Sequence, residues 1–170
     1  MSTLRVNNIS SNASSTSAIS LDSTGVSSFN WTYGLLGAPG NQTNASTSFI
    51  KVTLNTGGLA NNVTLDTTNS RLIVQRSGKY LCQGQITRSA SNSGGAWTPV
   101  IAIYKNGVSL FQAAYLHESY NSGYSQTITI DRIIELNIGD YVELWWNQNS
   151  TSTHTFQANN THLQIIYLGQ

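Results

Sequence analysis

At 170 residues the chain is long enough for one ordinary domain and a short appendage. Only 9 % of it is charged and the net charge is +1, with no basic stripe or polybasic run. This argues against a grip on nucleic-acid backbones or anionic membranes. Ser, Thr and Asn supply about a third of the residues, so hydroxyls and amides must cover the surface, a balance suited to secreted, cell-surface or virion proteins.

No apolar run follows Met1, so release by lysis of a host cell is expected rather than ordinary secretion. Residues 1–28 form a polar arm with two short apolar pulses, Leu4, Val6 and Ile9, then Ile19 and Leu21. Strands this short are not stable alone, so the arm is expected to be either a disordered tail or a docking arm whose five apolar residues order against a partner or against its own copies. Residues 29–47 read as a neck and loop, because Gly34, Gly37, Pro39 and Gly40 interrupt any regular element.

From Ser48 to Gln170 short strands recur between turn residues. Phe49 to Leu54 closes at Gly57-Gly58, Val63 to Leu65 at Asp66 to Asn69, and Arg71 to Val74 at Ser77-Gly78. Lys79 to Thr87 alternates well, and Cys82 within it reads as a small buried hydrophobe. Trp97 to Tyr104 runs into Asn106-Gly107, the strongest short hairpin signal, and Val108 to Leu116 follows. Ile128 to Ile138 and Tyr141 to Gln148 flank Asn137-Ile138-Gly139-Asp140 and read as an antiparallel pair. His162 to Leu168 closes the chain. No helical period is sustained, so the fold class is all-β, an antiparallel sandwich.

The turn residues also carry a resemblance. Ser77-Gly78-Lys79-Tyr80-Leu81, Lys105-Asn106-Gly107, Leu136-Asn137-Ile138-Gly139-Asp140-Tyr141-Val142 and the terminal Ile165-Ile166-Tyr167-Leu168 come in the order seen in C1q/TNF-like heads. The chain resembles that family over residues 48–170, which implies a jelly-roll β-sandwich assembled as a homotrimer. No collagen-like repeat precedes it. The arm, Ser2-Thr3-Leu4-Arg5-Val6-Asn7-Asn8-Ile9 and the later Ile19-Ser20-Leu21-Asp22, is similar to the start of bacteriophage, especially cyanophage, tail-fibre and virion proteins.

Chemistry is sparse. The carboxylates Asp66 and Asp140 read as turn residues, while Glu135 and Glu143 either face each other across their strand pair or face solvent. Glu118 beside His117 is the one unexplained acid, and no catalytic constellation forms around it. His117, His154 and His162 lack ligand spacing, so neither a metal nor a cofactor is expected; a trimer would bring three copies of His162 near its axis. The informative side chains are aromatic. Trp97, Tyr120 and Tyr124, with His117 and Glu118, are candidates for contact with a glycan receptor. Trp145 and Trp146 point to opposite faces of their strand, and with Phe156 and Tyr167 they are the candidates for a trimer seam. These features suggest a non-enzymatic virion protein, a trimeric tail fibre or receptor-binding head that contacts host polysaccharide and docks through its arm on a larger phage structural protein. A capsid decoration trimer is the alternative.

Overall fold

The computed structural model describes residues 8–9, 19–21, 27–29, 31–45, 47–88, 99–114, 125–148 and 153–170. They divide into two compact units, Met1–Trp31 and Thr32–Gln170. In the first unit, β1 (Asn8–Ile9), β2 (Ile19–Leu21) and β3 (Ser27–Phe29) form a small antiparallel sheet, with Ile9 opposite Ile19 and Ile19 opposite Phe29. Ile9 of the first apolar pulse and Ile19 and Leu21 of the second thus lie on strands that pair with each other. Of the five docking candidates, Ile9, Ile19 and Leu21 lie on these strands; Leu4 and Val6 fall outside the described residues.

The second unit is a two-layer sandwich. Sheet I has the order β13 (Gln126–Leu136), β10 (Gly78–Arg88), β15 (His154–Gly169), β4 (Tyr33–Gly37), β7 (Thr56–Asn61), with β5 (Gln42–Asn44) on β15. Sheet II has the order β12 (Val108–Ala114), β11 (Pro99–Lys105), β14 (Tyr141–Gln148), β9 (Arg71–Val74), β8 (Val63–Asp66), with β6 (Ile50–Lys51) on β14. From β5 onward the chain stays within a sheet only at β8–β9 and β11–β12; every other connection crosses the sandwich. This alternation closes a jelly roll.

Period-two patterning decides which side chains fill the gap. Tyr80, Cys82 and Ile86 on β10, Ile128, Ile130, Ile134 and Leu136 on β13, and Leu163 and Ile165 on β15 face Ile101, Ile103, Val142, Leu144 and Trp146 from sheet II. Each such aliphatic or aromatic side chain contributes about 1.5–3 kcal/mol by leaving water. Burial raises the Cys82 thiol to about 12, so it behaves as core filler.

Three expectations are corrected. Residues 29–47 are no neck: β4 pairs with β15 and β7, and the head begins at Thr32. Gly34 does not break β4; a Cβ there would lie 2.6 Å from Val63 Cγ1, so the missing side chain lets the two sheets close at this point. The flanks of Asn137–Asp140 are not a hairpin either. β13 belongs to sheet I and β14 to sheet II, so they meet across the core, and the turn is an inter-sheet corner.

Candidate functional site: a tied pole, a loop pole and an apolar face

The corner ties one end of the sandwich. Gly139 takes a φ of +87°, and its N–H donates to Val74 O at 2.9 Å. Asp140 Oδ2 accepts from the Asn137 N–H at 2.8 Å and pairs with Lys105 Nζ at 2.8 Å, while Oδ1 accepts from Asn106 Nδ2 at 2.7 Å. Asn106 Oδ1 in turn accepts from the Tyr141 N–H at 3.0 Å. The Ile138 N–H donates to Ser77 Oγ at 3.1 Å. The corner therefore holds three turns: the Asp140 carboxylate ties those after β11 and β13, and the Gly139 and Ile138 N–H groups reach Val74 and Ser77 at the one after β9. The β11–β12 turn has positive φ at both Asn106 and Gly107, as a two-residue hairpin requires.

Partial burial by itself raises the Asp140 carboxyl, but the bonds from Lys105, Asn106 and Asn137 outweigh it and hold the group below the usual carboxylate value of 3.8. Asp66 is likewise held low, chiefly by the Asn69 side chain, against burial, with Arg71 Nε adding a 2.7 Å pair. A carboxyl depressed in the folded state stabilises it fully above the unfolded value and loses that contribution as pH falls through the folded value. Urea midpoints should therefore fall below about pH 4. Asp140→Ala should lose about 1–3 kcal/mol at neutral pH and show a shallower acid limb. An unchanged midpoint would count against the tie.

The opposite end is where β10 ends at Arg88, β11 starts at Pro99, β12 ends at Ala114, β13 starts at Gln126, β14 ends at Gln148 and β15 starts at His154. The pairings Arg88–Gln126, Arg88–Phe156, Pro99–Gln148 and His154–Asn44 bring these ends together. Trp97, His117, Glu118, Tyr120 and Tyr124 belong to the connections leaving this end and lie outside the described residues. At its base polar side chains are buried: Asn44, Thr87, Arg88, Gln148 and His154. Gln148 Nε2 donates to Asn44 O at 2.8 Å, and the Thr87 and Thr127 hydroxyls bond at 2.7 Å. Burial, then the Arg88 cation, pushes the His154 imidazole below its ordinary value.

The seam candidates separate. Trp146 and Phe156 are each 1 % exposed and meet edge to face at 4.9 Å in the chain's own core. No neighbour can reach them, so both are removed from the seam. Tyr167 is half-buried against the edge of Tyr80 at 5.3 Å and under Arg76 at 4.3 Å. Trp145 lies on the outer face of sheet II, stacked on Tyr104 at 4.6 Å, its Nε1 donating to Glu143 Oε2 at 3.0 Å. Glu143 is also paired with Lys51 at 3.1 Å, so it does not face Glu135, which is exposed opposite Lys79 on sheet I.

Sequence reasoning missed the outer face of sheet I. Register aligns Ile133, Leu81, Ile166 and Tyr33 in one row, and Asp131, Gln83, Gln164, Leu35 and Leu59 in the next. Leu59 and Ile133 are 63 % and 61 % exposed. The Gln83 and Gln164 amides bond to each other between them. Around the edge, Leu110 and Phe111 on β12 are exposed as well, with the Arg132 guanidinium 5.5 Å from the Phe111 ring. The alternation of β10 and β15 held the signal: Leu81 and Ile166 are apolar at positions whose parity points away from Tyr80 and Ile165.

No family model matches this sequence, and no curated protein matches it. Among solved structures it is similar to the Eiger TNF from S. frugiperda, at 14 % identity and a TM-score of 0.58, over 83 % of this chain and 94 % of that one. The fold is a TNF-like jelly roll. At this identity the likeness carries the fold alone. Within this TNF-like jelly roll, the Ser77-Gly78, Lys105-Asn106-Gly107 and Asn137–Asp140 segments of the sequence resemblance all fall at the tied pole. Among the described residues no three His, Cys, Asp or Glu side chains gather as metal ligands would.

Proposed function

We propose that the chain is a homotrimeric attachment head of a phage virion, anchored through its N-terminal unit on a larger structural protein and contacting host surface polysaccharide through its loop pole. The observation that carries the reading is the pairing of two different apolar patches on one head. A ring of identical copies needs a heterologous contact, one patch meeting another. The Tyr33–Leu35–Leu59 face and the Leu110–Phe111 edge are such patches. An antiparallel sheet that faces water normally carries polar side chains there, and clustered apolar exposure of this kind marks an interaction site. The separate N-terminal unit supports an anchoring role.

The proposal is of a binding protein and not an enzyme. Among the described acids, Asp66, Asp140 and Glu143 are each engaged by a cation, and Asp131 and Glu135 stand exposed on sheet I, opposite Gln83 and Lys79 and two rows apart. Sedimentation equilibrium at micromolar concentration should read a trimer, and Leu59→Glu should leave a folded monomer. A folded monomer from the unaltered chain overturns the reading. On particles, Tyr120→Ala with Tyr124→Ala should abolish adsorption while leaving the trimer intact. A labelled particle image showing copies spread over the capsid would replace attachment with shell decoration.

A further inference from the structure

His162 stands on the outer face of β15, the middle strand of sheet I, opposite Gln85 on β10 and Gly37 on β4. Beside it a cleft of about 410 Å³ opens where β15 departs from regular pairing; Leu35, Thr56, Asn159, Thr161 and Gln164 line it with His162. Among the described residues that line it, His162 is the only titratable one. Thr56 Oγ1 and Thr161 Oγ1 are spent on the carbonyls of Gly37 and Gln157. The strand packed on either side brings no charge: Gln85 and Thr129 share its row on β10 and β13, and Gly37 and Thr56 on β4 and β7.

Among the described residues the nearest acid on this face is Asp131, one row along and two strands away. Strand spacing and rise put it roughly 12 Å off, beyond a Debye length of about 8 Å. Lys79 and Glu135 lie further along, opposite each other. Arg88 and His154 point to the other side of the sheet, into the interior. An imidazolium at His162, once covered by another copy, would thus be a buried charge without a partner.

We propose that assembly through this face is gated by His162: the neutral imidazole permits the ring to close, and the imidazolium opens it. The inference rests on the trimeric reading above. Burial already lowers the His162 imidazole below its ordinary value of 6.5 in the single chain, and covering the cleft depresses it further. A group depressed in the assembled state supports assembly above its free-protomer value and ceases to do so as pH falls through the assembled value. Each ring takes up one proton per protomer on opening, so the association constant falls by up to about a thousandfold per pH unit in that window.

The test is sedimentation velocity of the full chain from about pH 7.5 to about pH 5, with circular dichroism to show that the protomers stay folded. The unaltered chain should pass from trimer to folded monomer, and His162→Gln should remain trimeric throughout. A trimer that persists in the unaltered chain, or equal dissociation of His162→Gln, overturns the gate and leaves the ring standing. A monomer at neutral pH overturns the ring and the gate together. Should His162→Gln not assemble, proton uptake on dilution of the unaltered trimer decides: an uptake that grows toward three per ring as the pH is lowered from about 7.5 to about 5 supports the gate, and none overturns it.

Discussion

Gly78→Ala should lower the unfolding free energy by about 3 kcal/mol or more, enough to remove much of the stability of a domain this size. Gly78 holds a φ of +147°, which L side chains rarely adopt. A Cβ there would lie 2.5 Å from both Gly169 O and Tyr167 Cε2. The carbonyl cannot withdraw without opening the β10–β15 ladder, in which Lys79 pairs with Gly169. Nor can the Tyr167 ring swing freely, because it sits between Tyr80 and Arg76. Backbone strain and overpacking therefore add. Gly40→Ala is the control: nothing lies within 4 Å of its added Cβ, so its effect should stay within about 0.5 kcal/mol. Urea unfolding of the two variants measures the difference. Equal midpoints would show that the β9–β10 corner does not need glycine.

Trp146→Ala should cost about 3–5 kcal/mol, the range for emptying a large aromatic site in a core. Trp146 is enclosed, and its edge-to-face contact with Phe156 leaves no side open to collapse. Trp145→Ala, one residue earlier, should cost much less, because it strips a half-buried ring from the outer face of sheet II and leaves the interior filled. Denaturant midpoints separate the two positions. If Trp146→Ala unfolded no earlier than Trp145→Ala, the assignment of Trp146 to the core would fail. The comparison also isolates assembly from folding. Trp146→Ala should weaken the protomer itself, whereas Leu59→Glu should separate protomers that remain folded.

The contrast between those neighbours shows how much the sequence could tell. Period two put Trp145 and Trp146 on opposite faces, as the structure has them. It could not say which face was interior, because both carry equal apolar area and only the second sheet decides. Turn chemistry is local, so Asn106-Gly107 was readable as a hairpin from two residues. Asn137–Asp140 is equally local as a turn, yet its flanking strands lie in different sheets. The choice between pairing and crossing depends on Lys105, Asn106, Val74 and Ser77, which are distant in sequence. Gly34 misled for a related reason. Its role is to admit Val63, a contact no local pattern encodes. The outer face of sheet I escaped notice because single exposed Leu and Ile residues are ordinary; only register gathers Leu59, Leu35, Leu81 and Ile133 into one surface. The loop aromatics Trp97, Tyr120 and Tyr124 remain as the composition presented them.

The Asp140 tie lies at one end of the sandwich, and the strand ends Arg88, Pro99, Ala114, Gln126, Gln148 and His154, from which the three polar connections leave, lie at the other. Selection on the connections can proceed without disturbing the knot that sets the strand register. Such a layout should tolerate exchange of residues 89–98 and 115–124, the way an antibody framework tolerates new hypervariable segments. Transplanting foreign peptides between Arg88 and Pro99 should accordingly yield proteins that melt near the parent, making the head a practical display scaffold.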